Sequence, residues 1–421
     1  MKSPKYLSIF SSIRFNDCSI AAILSCRTEA QGAGARYTAR MSSGFANLHT
    51  HSHYSLLEAI PKIDARVARA KADGQEALAL TDLGNMYGTI EFYKECVKQG
   101  VKPIIGVEFF VAPRTRFDKE PRVDDRPSRL ILLAKNEAGY KNLIRLVSAS
   151  YIEGFYERPR VDRELLEKHR EGLVCILPAI GGEHALALGD GADERVRESL
   201  AWHRKNFNDC YAQITRHPEI EGHEELMARI AASATQANTP LVAGQETYYL
   251  DKEDATAREL VDKIRTGGVL EREQDIALPD YSFMTQSRAA SVFADMPESI
   301  ENTARIAGMC ALGLQLGKAI FPVFPIPPGT TANAQLREKA EEGIAMRGMA
   351  ETPELRQRIE YELGIIEQKG YASYFLIVAD LLAYARQEGI YTNTRGSAAG
   401  SLVSYLCGIT TVDPIAFNMP F

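Results

Sequence analysis

Short apolar runs alternate with helix-like segments from residue 45 to about residue 250, and this alternation constrains the fold more than any other feature. The runs cover residues 45–49, 77–80, 103–111, 130–134, 173–177, 210–214 and 240–243. Between them lie segments such as 63–71 and 90–99, in which apolar residues recur at helical spacing. Because strands that are apolar along their length are buried on both faces, the pattern predicts an α/β fold with a mostly parallel sheet covered by helices.

Seven strand–helix units of this kind can close into a distorted, seven-stranded β/α barrel, which we expect to span residues 44–280. In such barrels the chemistry lies at the carboxyl ends of the strands. The polar clusters described below follow the ends of these runs. We therefore expect the functional residues of this domain to gather at one mouth of the barrel.

The rest of the chain reads as helical. Residues 281–330 form a connecting segment that ends in a proline-rich stretch, and residues 331–421 form a second helical domain. In that domain Thr352 and Pro353 predict a helix start, and Gly370 predicts its end. The stretch 374–382 is so apolar that we expect it in the core.

Composition limits the classes of protein that remain. The formal net charge of −6 argues against a generally basic nucleic-acid binder, although a local basic stripe is not excluded. The seven cysteines form no CxxC pair, which favours a reducing cytoplasm over a disulfide or zinc-ribbon framework. No apolar run is long enough to span a membrane.

Residues 1–43 differ from the rest, being rich in Ser, Arg and Ala with Asp17 and Glu29 as the acids. Such a composition is typical of an organellar transit peptide. The alternative is a disordered extension, or sequence upstream of a true start at Met41. We favour that alternative, because motif-bearing sequence begins directly at Phe45.

His49 and His51 stand at the end of the first apolar run. Side chains at i and i+2 of a strand point to the same face, so the two imidazoles can bind one divalent metal ion. Glu58 follows shortly after, and Asp82 and Glu108 lie near the ends of the next two runs. This set favours metal-assisted phosphoester hydrolysis, although a polar strand end without a metal also fits the pattern.

The segment 394–402 is rich in Gly, Ser and Ala. Small residues let a backbone approach phosphate closely, and a following helix presents free N–H groups. The candidate nucleotide-binding residues are Arg395, Gly396, Ser397, Gly400 and Ser401. A tight turn that only lets two helices pack is the alternative.

Several motifs, in this order, resemble those of bacterial DNA polymerase III alpha subunits, which open with a polymerase-and-histidinol-phosphatase (PHP) domain. They are His49-Thr50-His51 and the segments 79–85, 103–108, 132–136, 240–243, 296–302, 370–378 and 395–402. The resemblance covers residue 45 to the end. It implies a PHP-type barrel followed by the beginning of a polymerase palm.

The resemblance also implies a metal site with about nine ligands, of which this sequence keeps a part. The positions that match, or carry another acid, are His49, His51, Glu58, Glu108 and Glu246. The positions where a ligand is replaced are Leu83, Arg129, Ala179 and Tyr248. An arginine among cations opposes metal binding. We therefore expect a degenerate site with at most one weakly bound Zn²⁺ or Mn²⁺, and a domain that serves polymerase stability more than proofreading.

For function, the resemblance implies template-directed nucleotidyl transfer in DNA replication or repair synthesis, with Mg²⁺, a DNA primer-template and dNTPs. Its catalytic aspartates are expected beyond Asp413-Pro414, so we assign no catalytic residue in this chain. A sliding clamp and other replisome subunits would bind regions absent here. Asn393 and Thr394 depart from the glycine-rich family pattern before Arg395. The alternatives are a metal-dependent PHP phosphoesterase or 3′–5′ exonuclease, and a non-catalytic scaffold from a truncated paralogue.

Overall fold

The computed structural model describes residues 44–267, 279–317, 322–393 and 396–421. The extension 1–43, Thr394 and Arg395 lie outside these ranges. The chain forms two compact units, the first ending at Leu316 and the second beginning at Gly317. The sequence placed residues 281–316 in a connecting segment, whereas the structure includes them in the first unit. Within the described ranges, no helix has both the length and the apolar character needed to cross a membrane.

In the first unit, eight strands among the described residues form one curled sheet. They are β1 (Ala77–Leu80), β2 (Lys102–Val111), β3 (Ser128–Ala134), β4 (Phe155–Tyr156), β5 (Arg158–Val161), β6 (Leu173–Leu177), β7 (Cys210–Ile214) and β8 (Leu241–Ala243). Their order is β4-β5-β2-β3-β6-β7-β8, with β1 also paired to β2. Because β3 runs antiparallel to both β2 and β6, the described sheet is mixed, although four of its seven strand pairs are parallel.

The first predicted strand, residues 45–49, is an extended segment that joins the two sides of the sheet. Asn47 pairs with Leu78 of β1, and Thr50 pairs with Thr247 just after β8. The amide of His51 donates to the carbonyl of Thr247 at 3.0 Å. Held on both sides, this segment completes the barrel and fixes the direction of the histidines.

Ten α-helices accompany the sheet in the described part of the first unit. Their bounds are α1 (Ile63–Ala72), α2 (Thr89–Gln99), α3 (Glu137–Ile152), α4 (Arg163–Lys168), α5 (Glu183–Gly189), α6 (Asp193–Asn206), α7 (His223–Gln236), α8 (Ala255–Thr266), α9 (Gln286–Val292) and α10 (Pro297–Met309). Leu78 and Leu80 of β1 pack towards the helices, while Ala77 and Ala79 face the interior, as the two-residue period of a strand requires. Side chains of α10 pack with these interior residues, which explains why the first unit extends beyond residue 280.

The second unit is helical, as predicted. It contains α11 (Ala332–Met346), α12 (Pro353–Lys369), α13 (Ala372–Gln387) and the short α14 (Leu402–Leu406), preceded by a 3-10 turn over Gly396–Gly400. The predicted ends of α12 are confirmed. The side chain of Thr352 accepts from the amide of Leu355, and Gly370 ends the helix in the left-handed conformation, with a φ of 72°.

Helix α13 departs from the sequence prediction. Leu376 and Ala379 are buried, but Leu381 is 62% exposed, Tyr384 is 59% exposed and Tyr374 is 48% exposed. The prediction that segment 374–382 is wholly core is therefore wrong. An apolar sequence leaves open which face of a helix finds a partner.

Candidate functional site

Three buried side chains converge at the mouth of the barrel. The Nε2 atom of His51 lies 2.7 Å from Oε2 of Glu108, and Nε2 of His49 lies 3.1 Å from the same oxygen. All three side chains are fully buried, and one ligand atom from each lies within 4.8 Å of the others. These residues, which we call the His–His–Glu cluster, are the group in the described part of the chain that is suited to a metal ion.

The spacing in the cluster fits one ion. Ligands about 2.0 Å from a tetrahedral Zn²⁺ lie roughly 3.3 Å from one another. The observed separations of 2.7 and 3.1 Å are close to that value, so small side-chain shifts suffice to place an ion between the three groups. The Nδ1 atom of His49 lies 3.2 Å from Oε1 of Gln213, a contact that orients the imidazole as the outer partners of metal ligands do.

Arg129 approaches the cluster from the strand beside Glu108. Its Nη1 atom lies 3.4 Å from Oε1 of Glu108 and 3.8 Å from Oε2 of Glu246, and it donates to the hydroxyl of Tyr248 at 3.1 Å. The ring of Tyr248 stacks on that of His51, with centroids 4.4 Å apart. A guanidinium and a phenol therefore fill space where the resemblance implies further metal ligands.

The side chains of the His–His–Glu cluster shift one another's pKa values. Burial raises the pKa of Glu108, but the charges of Arg129 and His49 lower it more, so this pKa lies well below its ordinary value. Burial lowers the pKa of His51 to about 4, which leaves a neutral imidazole available as a ligand. For His49, burial lowers the pKa, but the charge and hydrogen bond of Glu108 outweigh burial and raise it overall. The acid is thus an anion with its counter-charges already in place.

Two other acids predicted near the mouth have different partners. Glu58 forms ion pairs with Arg158 at 3.1 Å and Arg265 at 3.5 Å, and it lies outside the His–His–Glu cluster. Asp82 accepts hydrogen bonds from the amide and hydroxyl of Ser52 and from the hydroxyl of Ser55. Asp82 therefore braces the loop that follows the histidines.

Glu246 lies nearer to the cluster than either of these acids. One of its oxygens is 3.4 Å from the hydroxyl of Tyr248, and the other has no hydrogen-bond partner among the described residues. Burial raises the pKa of Glu246. Its assignment as a metal ligand stays a prediction.

Sequence analysis did not identify Gln213 as a neighbour of the cluster, and it placed Arg129 there only as a replaced ligand. Gln213 is the fourth residue of β7 and points to the interior face, where alternation along the strand could have drawn attention to a polar residue. The part played by Arg129 as a counter-charge required knowing the register that sets β3 beside β2. The replaced positions Leu83 and Ala179 are both buried and supply no ligand.

The candidate phosphate-binding turn lies in the second unit. Gly396 and Ser397 are exposed, whereas Gly400 and Ser401 are buried. A Cβ atom added to Gly400 would lie 2.1 Å from the carbonyl oxygen of Pro420, so this glycine is required by close packing. Arg395 lies outside the described residues. The assignment of these residues to nucleotide binding stays a prediction.

The backbone amides that follow this turn already donate hydrogen bonds to a carboxylate. The fully buried Glu362 of α12 accepts from the amides of Leu402 and Val403, and from the hydroxyl of Ser401 at 2.9 Å. It also accepts a hydrogen bond from Nε of Arg358, and the two atoms are 2.6 Å apart. These amides of α14 are therefore satisfied by Glu362, and a phosphate near the turn must be bound through Gly396, Ser397 or residues beside them.

Two family models match this chain. The model of the PHP domain matches residues 47–217, and the model described as bacterial DNA polymerase III alpha NTPase domain matches residues 334–421. Proteins named DNA polymerase III subunit alpha are 38% identical in Borreliella burgdorferi and 36% in Treponema pallidum, over 90% and 91% of this chain. The chain belongs to the family of the bacterial DNA polymerase III alpha subunits. It spans about a third of the length of these relatives, 34% and 33% respectively.

The family assignment confirms the fold that the sequence predicted. The curled sheet with its helices is a PHP domain, and the mostly helical second unit contains the matched polymerase III alpha segment. Among solved structures, an amidohydrolase from Chromobacterium violaceum covers 48% of this chain and 87% of its own, with 13% identity and a TM-score of 0.31. Because this score is low, the fold assignment rests on the matched family models.

Proposed function

We propose that this chain supplies the PHP domain and the beginning of the polymerase domain of a DNA polymerase III alpha subunit. The reaction is template-directed nucleotidyl transfer with Mg²⁺, a DNA primer-template and dNTPs, in replication or repair synthesis. The catalytic aspartates lie in sequence that this chain does not contain. The sliding clamp and the other replisome subunits bind regions outside it, and the protein acts in the cytoplasm.

One observation carries this proposal. The similarity to proteins named DNA polymerase III subunit alpha runs through both units and covers 90% of the chain. A free PHP enzyme needs no second unit, yet residues 334–421 match the polymerase III alpha model as well. A polymerase role accounts for both units, whereas a phosphoesterase role accounts for one.

The PHP domain in this proposal serves mainly a structural purpose. The His–His–Glu cluster binds at most one Zn²⁺ or Mn²⁺, because Arg129 places a positive charge 3.4 Å from the carboxylate that would hold the ion. A cation beside a metal site opposes binding, and the loss of ligands reduces affinity further. The guanidinium supplies part of the counter-charge that metal ions supply in a complete site.

A chimaera tests the polymerase proposal. Residues 45–421 would replace the matching segment of the Borreliella burgdorferi alpha subunit, and primer extension would be measured with and without template. We expect template-dependent extension by the chimaera. A chimaera that is folded by circular dichroism and gel filtration but inactive, beside an active parent, would contradict the proposal.

The same chimaera tests the predicted nucleotide contact of Arg395. The substitution Arg395→Ala should weaken nucleotide binding by about 1.5–3 kcal/mol, the usual contribution of a hydrogen bond to a charged group. Steady-state kinetics over a range of dNTP concentrations measures this loss. The control is Arg386→Ala, which removes a guanidinium whose Nη1 atom donates a hydrogen bond to the carbonyl of Gly408. An Arg395 variant with unchanged KM and kcat would remove Arg395 from the nucleotide site.

The second candidate function is metal-dependent phosphoester hydrolysis by the PHP domain. It is favoured by the preserved spacing of the His–His–Glu cluster and opposed by Arg129, Tyr248, Leu83 and Ala179. Metal analysis of the purified chain distinguishes the candidates. Two or more tightly bound ions per chain would favour hydrolysis, while none or one weakly bound ion fits the polymerase proposal.

A further inference from the structure

A polar cleft of about 390 Å³ lies at the other end of the barrel strands from the His–His–Glu cluster. It is located where β3 ends at Ala134 and the antiparallel β6 begins at Leu173. The charged and amide side chains that line it include those of Lys135, Asn136, Arg170, Glu171, Lys205 and Asn208. We call this feature the basic cleft, because it has three cationic side chains and one acidic one.

The cationic side chains of the basic cleft outnumber the acidic groups beside them, because three cations stand against Glu171 and Asp209. Lys135 pairs with Asp209 at 2.6 Å. Arg170 donates to the amide oxygen of Asn206, which carries no charge. Within the described ranges, neither Arg170 nor Lys205 has an ion-pair partner, and both side chains belong to exposed residues. Neither cation is held in an ion pair in that part of the chain, and with Glu171 in the lining the cleft keeps a net positive charge.

Two basic stretches of sequence meet here. Lys168 ends helix α4, with Arg170 two residues later, and Lys205 lies in the last turn of α6. Burial, together with the charges of Lys168 and Arg145, lowers the pKa of the nearby His169, which is the direction a positive surrounding produces. In a chain with a net charge of −6, this concentration of cations is a local departure from the whole.

The backbone around the basic cleft is tightly held. The amide of Lys135 donates to the carbonyl of Gly172 at 2.8 Å. A Cβ atom added to Gly139 would lie 2.0 Å from the oxygen of Gly172, so the first turn of α3 and the turn before β6 must touch. Asn136 caps α3, whose positive dipole end therefore lies at the cleft. These contacts fix the positions from which the cationic side chains extend.

We propose that the basic cleft binds phosphate groups. The guanidinium of Arg170 offers a planar fork of N–H donors, Lys205 adds a mobile ammonium, and the amide of Asn208 adds a neutral donor. Such a set matches the oxygens of a phosphate, whether it belongs to the backbone of single-stranded DNA or is free in solution. The site is independent of the metal cluster and of the proposed polymerase function.

Two measurements on the 421-residue chain test this proposal. The first is fluorescence anisotropy with a labelled oligo-dT strand at low ionic strength, repeated over a range of salt concentrations. The second is thermal unfolding in inorganic phosphate against chloride of equal ionic strength. The variants are Arg170→Gln and Lys205→Gln. The control is Arg204→Gln, which removes an exposed charge from the same turn of α6 but does not line the cleft.

We expect Arg170→Gln and Lys205→Gln each to weaken oligo-dT binding about tenfold. Each should also reduce the slope of log affinity against log salt by about one. Arg204→Gln should change the affinity less than about twofold. If the two cleft variants lose stabilisation by inorganic phosphate but bind oligo-dT normally, the ligand is a free phosphate. Equal effects of all three variants, no effect of either cleft variant, or no binding of either probe would overturn the proposal.

Discussion

Arg129 lies beside the His–His–Glu cluster, and its guanidinium is within 3.8 Å of the buried carboxylates of Glu108 and Glu246. Replacing it by histidine, the residue that the family resemblance implies at this position, removes a cation and adds a ligand. We expect Arg129→His to bind Zn²⁺ at least tenfold more tightly than the parent chain. Isothermal titration calorimetry measures the difference. The control is Arg129→Lys, which keeps the charge and should gain no affinity.

His184 is a second buried residue with a measurable consequence. Both of its ring nitrogens lack a hydrogen-bond partner among the described residues, and burial lowers its pKa to about 3. The folded chain keeps His184 neutral, whereas the unfolded chain binds a proton below about pH 6.5. Stability contributed by this difference is therefore present above pH 6.5 and is lost as the pH falls towards 3.

We expect His184 alone to lower the free energy of unfolding by about 2 kcal/mol between pH 7.5 and pH 5. Urea unfolding at the two pH values, compared between the parent and His184→Leu, measures this contribution. The same comparison at the half-buried His169 should show a smaller change, because solvent still reaches that ring. An equal pH dependence in the parent and in His184→Leu would contradict the assignment.

At this scale the sequence predicted the centre of the site better than its surroundings. His49, His51 and Glu108 meet as expected, because strand alternation and strand ends determine where such side chains point. Glu58 instead forms an ion pair with Arg158, which lies a hundred positions further along the chain. Local pattern cannot reveal a competing partner that only tertiary structure brings near.

Among the elements, the contact between α12 and α14 depends on a single carboxylate. Glu362 accepts four hydrogen bonds, two of them from backbone amides of α14. Removing it leaves buried donors without an acceptor, which is among the more costly changes in a protein interior.

We expect Glu362→Ala to destabilise the second unit by about 3 kcal/mol, as the loss of one member of a buried ion pair does. The control is Glu360→Ala on the same helix, which removes an exposed pair with Arg337 and should cost less than about 1 kcal/mol. Urea unfolding followed by circular dichroism measures both losses. Equal losses in the two variants would show that Glu362 has no special role.

The helices also show which structural features can be predicted from the sequence of a single element. Both ends of α12 were predictable, because a capping threonine and a left-handed glycine act locally. The exposed side of α13 was not, because burial depends on which neighbour the helix meets. The same limit applies to α14, whose first amides donate to Glu362, a residue forty positions before Leu402.

For the molecule as a whole, the described hydrophobic core divides in the same way as the chain. The clusters built on the barrel contain residues up to Leu312, and the cluster of the second unit runs from Leu336 to Cys407. Each unit therefore buries its own apolar surface, which is the condition for independent folding.

We expect a chain that ends at Leu316 to fold by itself. Thermal unfolding followed by near-ultraviolet circular dichroism should show a cooperative transition with a midpoint within a few degrees of that of the barrel in the full chain. The matched comparison is a chain that ends at residue 280, the boundary predicted from sequence. That shorter chain lacks α10 and the side chains it contributes to the barrel interior, so it should lose cooperativity. A cooperative transition in the shorter chain and none in the longer one would contradict this prediction.

The order of domains was visible in the sequence, because apolar strands and capped helices repeat in recognisable patterns. The boundary between them was not, since it depends on Ile306 and Ala307 of α10 and on Cys310 just after it, which pack in the barrel interior. The mixed direction of the sheet was also hidden. A continuous apolar strand reads the same whether its neighbour runs parallel or antiparallel.

The guanidinium of Arg129 is synthesised with the polypeptide, whereas an ion must be acquired from the cell. Every newly made molecule therefore neutralises Glu108 at full occupancy, even when transition metals are scarce. Maturation of the barrel needs no loading step, and treatment with a chelator should leave its unfolding midpoint unchanged. The charge balance at this site is therefore insulated from changes in metal supply.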